Sequence, residues 1–378
     1  MFSESEPSPE SPTPEREPSI PSADDVLKLS SIESNIIAPG KFVPVFTVRR
    51  NMVVPGAKML INAELPEARL FYAMQGEPAG AEGGRTLVER FALPKKAARL
   101  ATQLNHFFAS VSMVACNDSE SNIALLGRPT RRHLPLSTVD TSIFLLNSEA
   151  EESGKLREIE FGSSTKMLGL CFSAKAHQQH PMLDYLHVML RDELFGGLAL
   201  FSAEFFDDLA TDKLLRRPIL DLRDGGEYMR VLGLAETAPD RLTMLIGRQP
   251  QFGPWSEPER QPVYFQRFEL WALKLGVGCR AALLGEIELP ANAGAAALSG
   301  DGRFVAISQD ATPQAPSRVI IHEILQTADR CDIVPCDQVE ANANCTDLAF
   351  SRTGSRLGLT TTHGDFVVLV NSTAEVVG

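Results

Sequence analysis

Few residues of this chain have the types and spacing that catalysis or metal binding requires. His177 and His180 are three residues apart, so a helix could bring both imidazoles to one metal ion. The alternative is an exposed loop, because both lie in a polar connector just before Pro181. The chain lacks the Gly-x-Ser-x-Gly and His-Glu-x-x-His motifs. The sequence therefore predicts no catalytic set, no metal and no cofactor, and an active site built from distant residues is the lesser alternative.

Glycines are concentrated in one short segment, residues 76–84. Gly76, Gly80, Gly83 and Gly84 could form a partner-binding loop, or a loop whose backbone carbonyls coordinate a cation. The segment lacks the Gly-x-Gly-x-x-Gly and Gly-Lys-Ser/Thr spacings, so it is not predicted to bind phosphate. The alternative is a long solvent-exposed loop between two strands.

Two further segments carry side chains suited to protein contacts. Arg128, Arg131 and Arg132 form the densest basic cluster, and arginine binds carboxylates and phosphates with bidentate geometry. Phe252 and Trp255 lie in a proline-rich connector, where an exposed tryptophan would serve as an interface anchor. The alternatives are solvated loop charge for the arginines and a tryptophan tucked under its own loop.

The first 40 residues are dominated by Ser, Pro and Glu. Such a segment has too little apolar surface to offset its ordering entropy, so it is predicted to be a disordered tail before a domain at residues 41–378. Ser8, Ser11 and Thr13 each precede a proline and are candidate phosphorylation sites. The alternative is a solvated leader without a role.

Composition limits the remaining function classes. The net charge is −12, which argues against nucleic acid or an anionic membrane surface as the partner. The most apolar window, residues 270–290, is interrupted by four charged residues and is not a membrane span. No signal peptide is recognisable at the N-terminus, and the six cysteines form no Cys-x-x-Cys pair. We therefore expect reduced thiols in a cytoplasmic or nuclear protein.

Near the C-terminus the sequence repeats itself. Residues 298–307 and 350–359 share one pattern, in which a strand ends on Ser, turns tightly through Gly302 or Gly354, and enters a second strand. A third strand follows in each copy, at residues 318–323 and 365–370. Units of roughly 50 residues that cannot bury their own apolar faces are typical of propellers and other stacked arrays.

Earlier parts of the chain have the same order of strands and turns. About six units can be traced from Gly56 onward, which predicts an all-β propeller of six or seven blades. Residues 41–48 resemble a strand and could pair with the last unit to close the ring, with Pro44 at an edge position. The alternative is a chain truncated before a seventh blade. Residues 203–217 are predicted to form a short helix, because acidic residues come early and basic residues late.

Residues 347–357, followed by 364–369, resemble a blade of the WD-repeat superfamily, and residues 298–324 look like another. No blade ends in Trp-Asp or opens with Gly-His, so the superfamily's usual Asp-His-Ser/Thr-Trp network is not carried over. We therefore expect the blades to be held by apolar packing alone. The resemblance implies a scaffold that binds other proteins, such as complex subunits or peptide segments.

A weaker resemblance is to the endoplasmic-reticulum exchange factors that load GTP onto the Sar-type small GTPase in COPII coat assembly. It rests on residues 56–60, the Gly-rich segment 76–84 and residues 114–118. The resemblance implies a first-blade loop that binds potassium and acts on a small GTPase at the cytosolic face of the endoplasmic reticulum. This loop has no Asn and no membrane anchor follows, both of which depart from the family.

Overall fold

The structure is a computed structural model, and it describes the strands together with several of the turns that connect them. The described residues are 41–49, 58–61, 67–74, 85–92, 100–104, 108–117, 122–129, 142–147, 157–160, 165–174, 183–192, 198–206, 209–219, 227–250, 264–275, 280–326 and 330–372.

All regular structure in these residues is β-strand, arranged in antiparallel sheets, and in every sheet but the last the strands follow one another in chain order. The first sheet contains β2 (Lys58–Ile61), β3 (Glu67–Met74), β4 (Arg85–Ala92) and β5 (Leu100–Leu104). The second contains β6 (Phe108–Cys116), β7 (Asn122–Pro129), β8 (Ser142–Asn147) and β9 (Arg157–Glu160). The third contains β10 (Thr165–Phe172), β11 (Leu183–Asp192), β12 (Leu198–Phe206) and β13 (Leu209–Ile219).

The next sheet has seven strands, because one long strand belongs to two units. Its members are β14 (Glu227–Ala238), β15 (Arg241–Pro250), β16 (Phe265–Lys274), β17 (Arg280–Leu298), β18 (Phe304–Gln309), β19 (Ser317–Gln326) and β20 (Cys331–Ala341). The first half of β17 pairs with β16 and its second half pairs with β18. We therefore call β14 to the first half of β17 the fourth sheet, and the second half of β17 to β20 the fifth.

The sixth sheet joins the two ends of the described chain. It has the order β1-β23-β22-β21, with β1 (Phe42–Arg49), β21 (Cys345–Phe350), β22 (Arg356–Thr361) and β23 (Asp365–Asn371). Phe42 pairs with Asn371, so the predicted closing strand is confirmed. Pro44 lies on the outer edge, as expected, and a bulge follows it.

The first strands of the units form a circle. In the described residues β2 contacts β6, β6 contacts β10, β10 contacts β14, β14 contacts β17, β17 contacts β21 and β21 contacts β2. Antiparallel sheets arranged radially around their first strands are a β-propeller, which confirms the predicted architecture. The described strands form six such units, and the blade number of the whole chain stays a prediction.

Apolar cores lie between neighbouring sheets. Leu242, Met244 and Ile246 of the fourth sheet pack against Met189 and Leu200 of the third, with every one of these side chains fully buried. Equivalent clusters fill the spaces between the second and third, fourth and fifth, fifth and sixth, and sixth and first sheets. Because neighbouring blades cover both faces of each blade, the sequences of its inner strands are continuous apolar runs.

The two repeated turns have the same hydrogen bonds. Ser299 Oγ accepts from the Phe304 backbone N–H at 2.9 Å, and Ser351 Oγ accepts from the Arg356 N–H at 3.0 Å. Gly302 and Gly354 take φ values of 71° and 67°, the left-handed region in which glycine is favoured. The predicted internal repeat is therefore confirmed at the level of atomic contacts.

Replacing Gly302 with Ala is expected to lower the free energy of unfolding by about 2 kcal/mol, since a left-handed alanine alone costs about 1–2 kcal/mol. Its Cβ would also come within 2.3 Å of Thr237 Cγ2. Gly294→Ala is the matched control, because its Cβ would meet its nearest neighbour at 3.6 Å. Urea unfolding followed by circular dichroism measures both variants, and equal midpoints would contradict this explanation of the turn.

One element differs from its prediction. Residues 203–217 were predicted to be a helix, but 203–206 lie in β12 and 209–217 in β13, which pair with each other from Leu198↔Ile219 to Phe206↔Leu209. Cross-strand pairing with the rest of the third sheet outweighs the weak helical preference of an isolated segment. In the part of the chain that is described, no helix is long and apolar enough to cross a membrane. The predicted tail, residues 1–40, lies outside the described residues.

Candidate functional site

A cavity of about 260 Å³ lies where the first strands of the propeller meet. It is lined by residues from each of these strands, among them Met59, Met113, Leu168, Ala295 and Leu348. Gly169, Gly233, Gly294 and Ala297 also contribute, so much of the wall is backbone and small side chains. The cavity is therefore a central channel with polar backbone groups within reach of anything that enters it.

An ion pair joins the first and sixth sheets beside this channel. Lys58 Nζ donates to Asp347 Oδ1, and the Met59 backbone N–H donates to Asp347 Oδ2 at 3.2 Å. Asp347 is buried, so the two donors replace the water that its carboxylate would otherwise bind. The pair both links β2 to β21 and neutralises two of the charges that line the channel.

Arg230 is the remaining charged residue of the channel lining among the described residues. It lies near the start of β14, is half-buried, and has no acidic partner in the described part of the chain. With Lys58 and Asp347 paired, the lining carries one positive charge that is not neutralised. The guanidinium of Arg230 is thus a positive charge inside the ring of a protein whose net charge is −12.

Glu236, near the end of β14, forms a buried polar cluster between the third and fourth sheets. Its Oε2 accepts from Ser173 Oγ and from the Ala174 N–H, both at 2.6 Å. His187 Nε2 lies 3.7 Å from Glu236 Oε1. Burial favours the neutral acid and so raises the pKa of Glu236, but the contacts with His187, Ser173 and Ala174 outweigh it and lower that pKa to about 2. The carboxylate is therefore ionised at neutral pH.

A second buried carboxylate lies within the fourth sheet. Glu269 Oε2 accepts from Arg248 Nε and Nη2, each at 3.1 Å, and from Trp271 Nε1 at 2.9 Å. Arg267 Nη2 is 3.1 Å from the other oxygen of Glu269. The expectation that apolar packing alone holds the blades is therefore wrong. Polar residues within the strands form other networks in place of the missing Asp-His-Ser/Thr-Trp set.

Four described thiols are poor nucleophiles. Burial, as the largest cause, raises the pKa of Cys336 to about 11 and that of Cys345 to about 12. It also raises the pKa values of Cys171 and Cys331. Because the thiolate is the reactive form, the raised pKa values make these side chains weaker nucleophiles at neutral pH.

Most of the residues predicted to bind a partner lie outside the described residues. They are Gly76, Gly80, Gly83, Gly84, Arg131, Arg132, Phe252 and Trp255, together with His177, His180 and the candidate phosphorylation sites Ser8, Ser11 and Thr13. Their roles stay predictions, and so does exchange-factor activity, which depends on the Gly-rich segment.

Arg128 was predicted to bind a partner, with solvated loop charge as the alternative, and the structure places it in β7, opposite Ser110 of β6. The strand extends to Pro129 because β6 continues alongside it. Arg216 and Arg217, which form a smaller basic pair in the sequence, likewise lie in a strand, β13. The described arginines of both segments are thus backbone-paired rather than in loops.

Sequence reasoning missed the residues that the structure brings together. Lys58, Arg230 and Asp347 come from three strands far apart in the chain, and nothing local marks them as neighbours. Glu236 had a signal, since it is a charged residue directly after an apolar run in an inner strand. In the described residues no group of three or more His, Cys, Asp or Glu is placed to hold a metal ion.

Three solved propellers are similar to this chain in backbone trace. The Dos1 propeller has 9% identity and a TM-score of 0.46, and the match covers 87% of this chain and 95% of that one. The Pan2 WD40 domain of Neurospora crassa has 9% identity and a TM-score of 0.43, with the same coverage. The Cps50 (Swd1) β-propeller domain of Myceliophteria thermophila has 11% identity and a TM-score of 0.46, covering 85% of this chain and 99% of that one.

No family model matches the chain, and no curated protein matches it. At these identities and TM-scores the three structures carry no functional argument. The assignment as a propeller rests on the strand order and on the circle of first strands.

Proposed function

We propose that this chain is a protein-interaction platform whose binding site is the central channel. An extended segment of a partner protein enters the channel and places an acidic side chain against Arg230. The observation that carries the proposal is the composition of the lining, in which Lys58 and Asp347 neutralise each other and Arg230 is left over. Arginine pairs with carboxylates and phosphates through two parallel hydrogen bonds, which favours an acidic or phosphorylated segment.

The size of the cavity also favours a peptide. A volume of about 260 Å³ accommodates a few side chains, and the glycine- and alanine-rich wall leaves backbone groups accessible to a bound main chain. The described ionisable groups favour binding over reaction, since Glu236 already accepts hydrogen bonds from Ser173 and Ala174, and burial raises the pKa values of Cys336 and Cys345. The chain is therefore proposed to hold partners without turning them over.

Affinity capture of the full-length protein from its native cell extract, quantified by mass spectrometry, tests this function. We expect proteins held through the channel to be depleted about tenfold with Arg230→Ala, because a bidentate pair in a partly desolvated site is worth roughly 1.5–3 kcal/mol. Arg330→Ala is the matched control, since it removes the same side chain from an exposed surface pair with Asp332.

The outcomes separate the two parts of the proposal. Partners that are retained equally by both variants would show that the channel is not their binding site. A protein that captures no stoichiometric partner at all would contradict the platform function itself.

A further inference from the structure

Three basic residues form a row across one end of the fourth sheet. Arg241 opens β15, Lys274 ends β16 and Arg280 opens β17. In the strand register Arg241 is paired with Lys274, and Lys274 with Arg280. Directly paired residues of antiparallel strands project from the same face with Cβ atoms about 5 Å apart. We call Arg241, Lys274 and Arg280 the basic row.

The basic row is not neutralised by the described residues. All three side chains are exposed, and none makes an ion pair in the described part of the chain. Asp240 precedes Arg241, but its described hydrogen bond is a backbone one, from the Leu275 N–H to the Asp240 carbonyl at 2.6 Å. Like charges directly opposite each other destabilise a sheet, so an anionic segment across the row would relieve a built-in repulsion.

The described chain begins at the same end of the propeller. Lys41 Nζ donates to Glu323 Oε2 at 2.8 Å, and Arg303 Nη2 lies 3.7 Å from the other oxygen of Glu323. Gly302, the neighbour of Arg303, lies against Thr237, whose Oγ1 donates to the Arg241 carbonyl at 3.5 Å. A continuous set of contacts therefore leads from Lys41 across the fifth sheet to the basic row.

The segment before Lys41 has the complementary charge. Residues 1–40 contain eight Asp and Glu against two Lys and Arg. The net charge of this segment is therefore −6, half of the −12 of the whole chain. Packed sheets are about 10 Å apart, so the sixth and fourth sheets are separated by roughly 20 Å. Glu33 is eight residues before Lys41, and eight extended residues span up to about 28 Å. Glu33 and every acidic residue before it can reach the row.

We propose that the acidic N-terminal segment, residues 1–40, binds the basic row of its own chain and covers this end of the propeller. The interaction is electrostatic and therefore weakens with salt. Ser8, Ser11 and Thr13 precede prolines within this segment, and phosphate groups there would add negative charge and strengthen the cover. Another acidic protein would have to displace the segment before it could use this surface.

Carbodiimide cross-linking of the full-length protein tests the proposal, because this reagent joins a lysine amine to a carboxylate in direct contact. We expect mass spectrometry to find Lys274 joined to Asp or Glu of residues 1–40 at low salt. In the double variant Arg241→Ser/Arg280→Ser, which retains Lys274 as reporter, the yield should fall about tenfold. Arg318→Ser, which removes one arginine from the opposite end of the fifth sheet, is the position control and should leave the yield unchanged.

Mixing ¹⁵N-labelled and unlabelled protein distinguishes the source of the segment. Cross-links within one isotope support the intramolecular cover, whereas mixed-isotope cross-links would overturn it in favour of a second copy of the chain. The absence of Lys274 cross-links to residues 1–40, or equal yields in the double variant and the control, would also overturn it.

Discussion

Replacing Glu236 with Ala is expected to lower the free energy of unfolding by about 3 kcal/mol. The substitution removes the shared acceptor of Ser173 Oγ and the Ala174 N–H, and the carboxylate oxygen that lies 3.7 Å from His187 Nε2. A buried donor that loses its partner costs about 1–3 kcal/mol, and the cavity left by the side chain adds to this cost. Urea unfolding followed by circular dichroism measures the loss. Glu286→Ala, on an exposed position of β17, is the control and should change stability by less than about 0.5 kcal/mol.

The same carboxylate gives a defined dependence on pH. Its pKa in the folded protein is about 2, below the ordinary value of 4.5, so its stabilisation is fully present above the unfolded pKa. That stabilisation is lost as the pH falls from about 5 to about 2. Glu236→Gln cannot titrate, so the stability difference between wild type and this variant should shrink over that interval. A difference that stays constant down to pH 2 would show that the charge of Glu236 does not stabilise the fold.

Phe42→Ala is expected to lower the free energy of unfolding by about 4 kcal/mol, within the range measured for buried phenylalanines. Phe42 opens β1, is 3% exposed, and meets the rings of Phe304 and Phe350 edge-on at 5.7 and 6.1 Å. Phe304 belongs to the fifth sheet and Phe350 to the sixth, so the side chain of Phe42 packs β1 against both sheets. The urea midpoint by tryptophan fluorescence is the readout.

Val43 is the matched control for Phe42. It is the next residue of β1, is paired with Val370, and is 37% exposed on the other face of the strand. Val43→Ala should therefore change the midpoint little, with a loss of less than about 0.5 kcal/mol. Similar losses in both variants would mean that β1 is held by backbone pairing alone.

The strands that sequence analysis found are those with local signals. Residues 318–323 contain the apolar run Val319–Ile321, residues 365–370 contain a longer apolar run directly after Gly364, and both segments are strands in the structure, within β19 and β23. The strands that were not predicted include β7 and the outer strands β5, β9, β13 and β20. In β20 the described residues alternate between half-buried and exposed without an apolar period, because one edge of an outer strand faces solvent.

The candidate site could not be predicted in the same way. Lys58 and Asp347 are 289 residues apart, and they meet only because the first and sixth sheets are neighbours in the ring. The register that aligns Arg241, Lys274 and Arg280 depends on turn lengths and on a bulge between Leu270 and Trp271. The alternation of apolar and polar residues predicts which face of its own strand a residue occupies. The residue opposite it on the neighbouring strand depends on the register of the whole sheet.

The pairing of β1 with β23 has a consequence for how the protein is made. Ser372 Oγ donates to the Lys41 carbonyl across 331 residues of chain, so the first strand leaves the ribosome long before its partner exists. At about 5–20 residues per second, β1 waits for tens of seconds with Phe42, Phe46 and Val48 uncovered. Until then the five earlier sheets stand as an open arc with two unpaired ends. Synthesis of this chain should therefore depend on chaperones that shield an N-terminal strand until translation is complete.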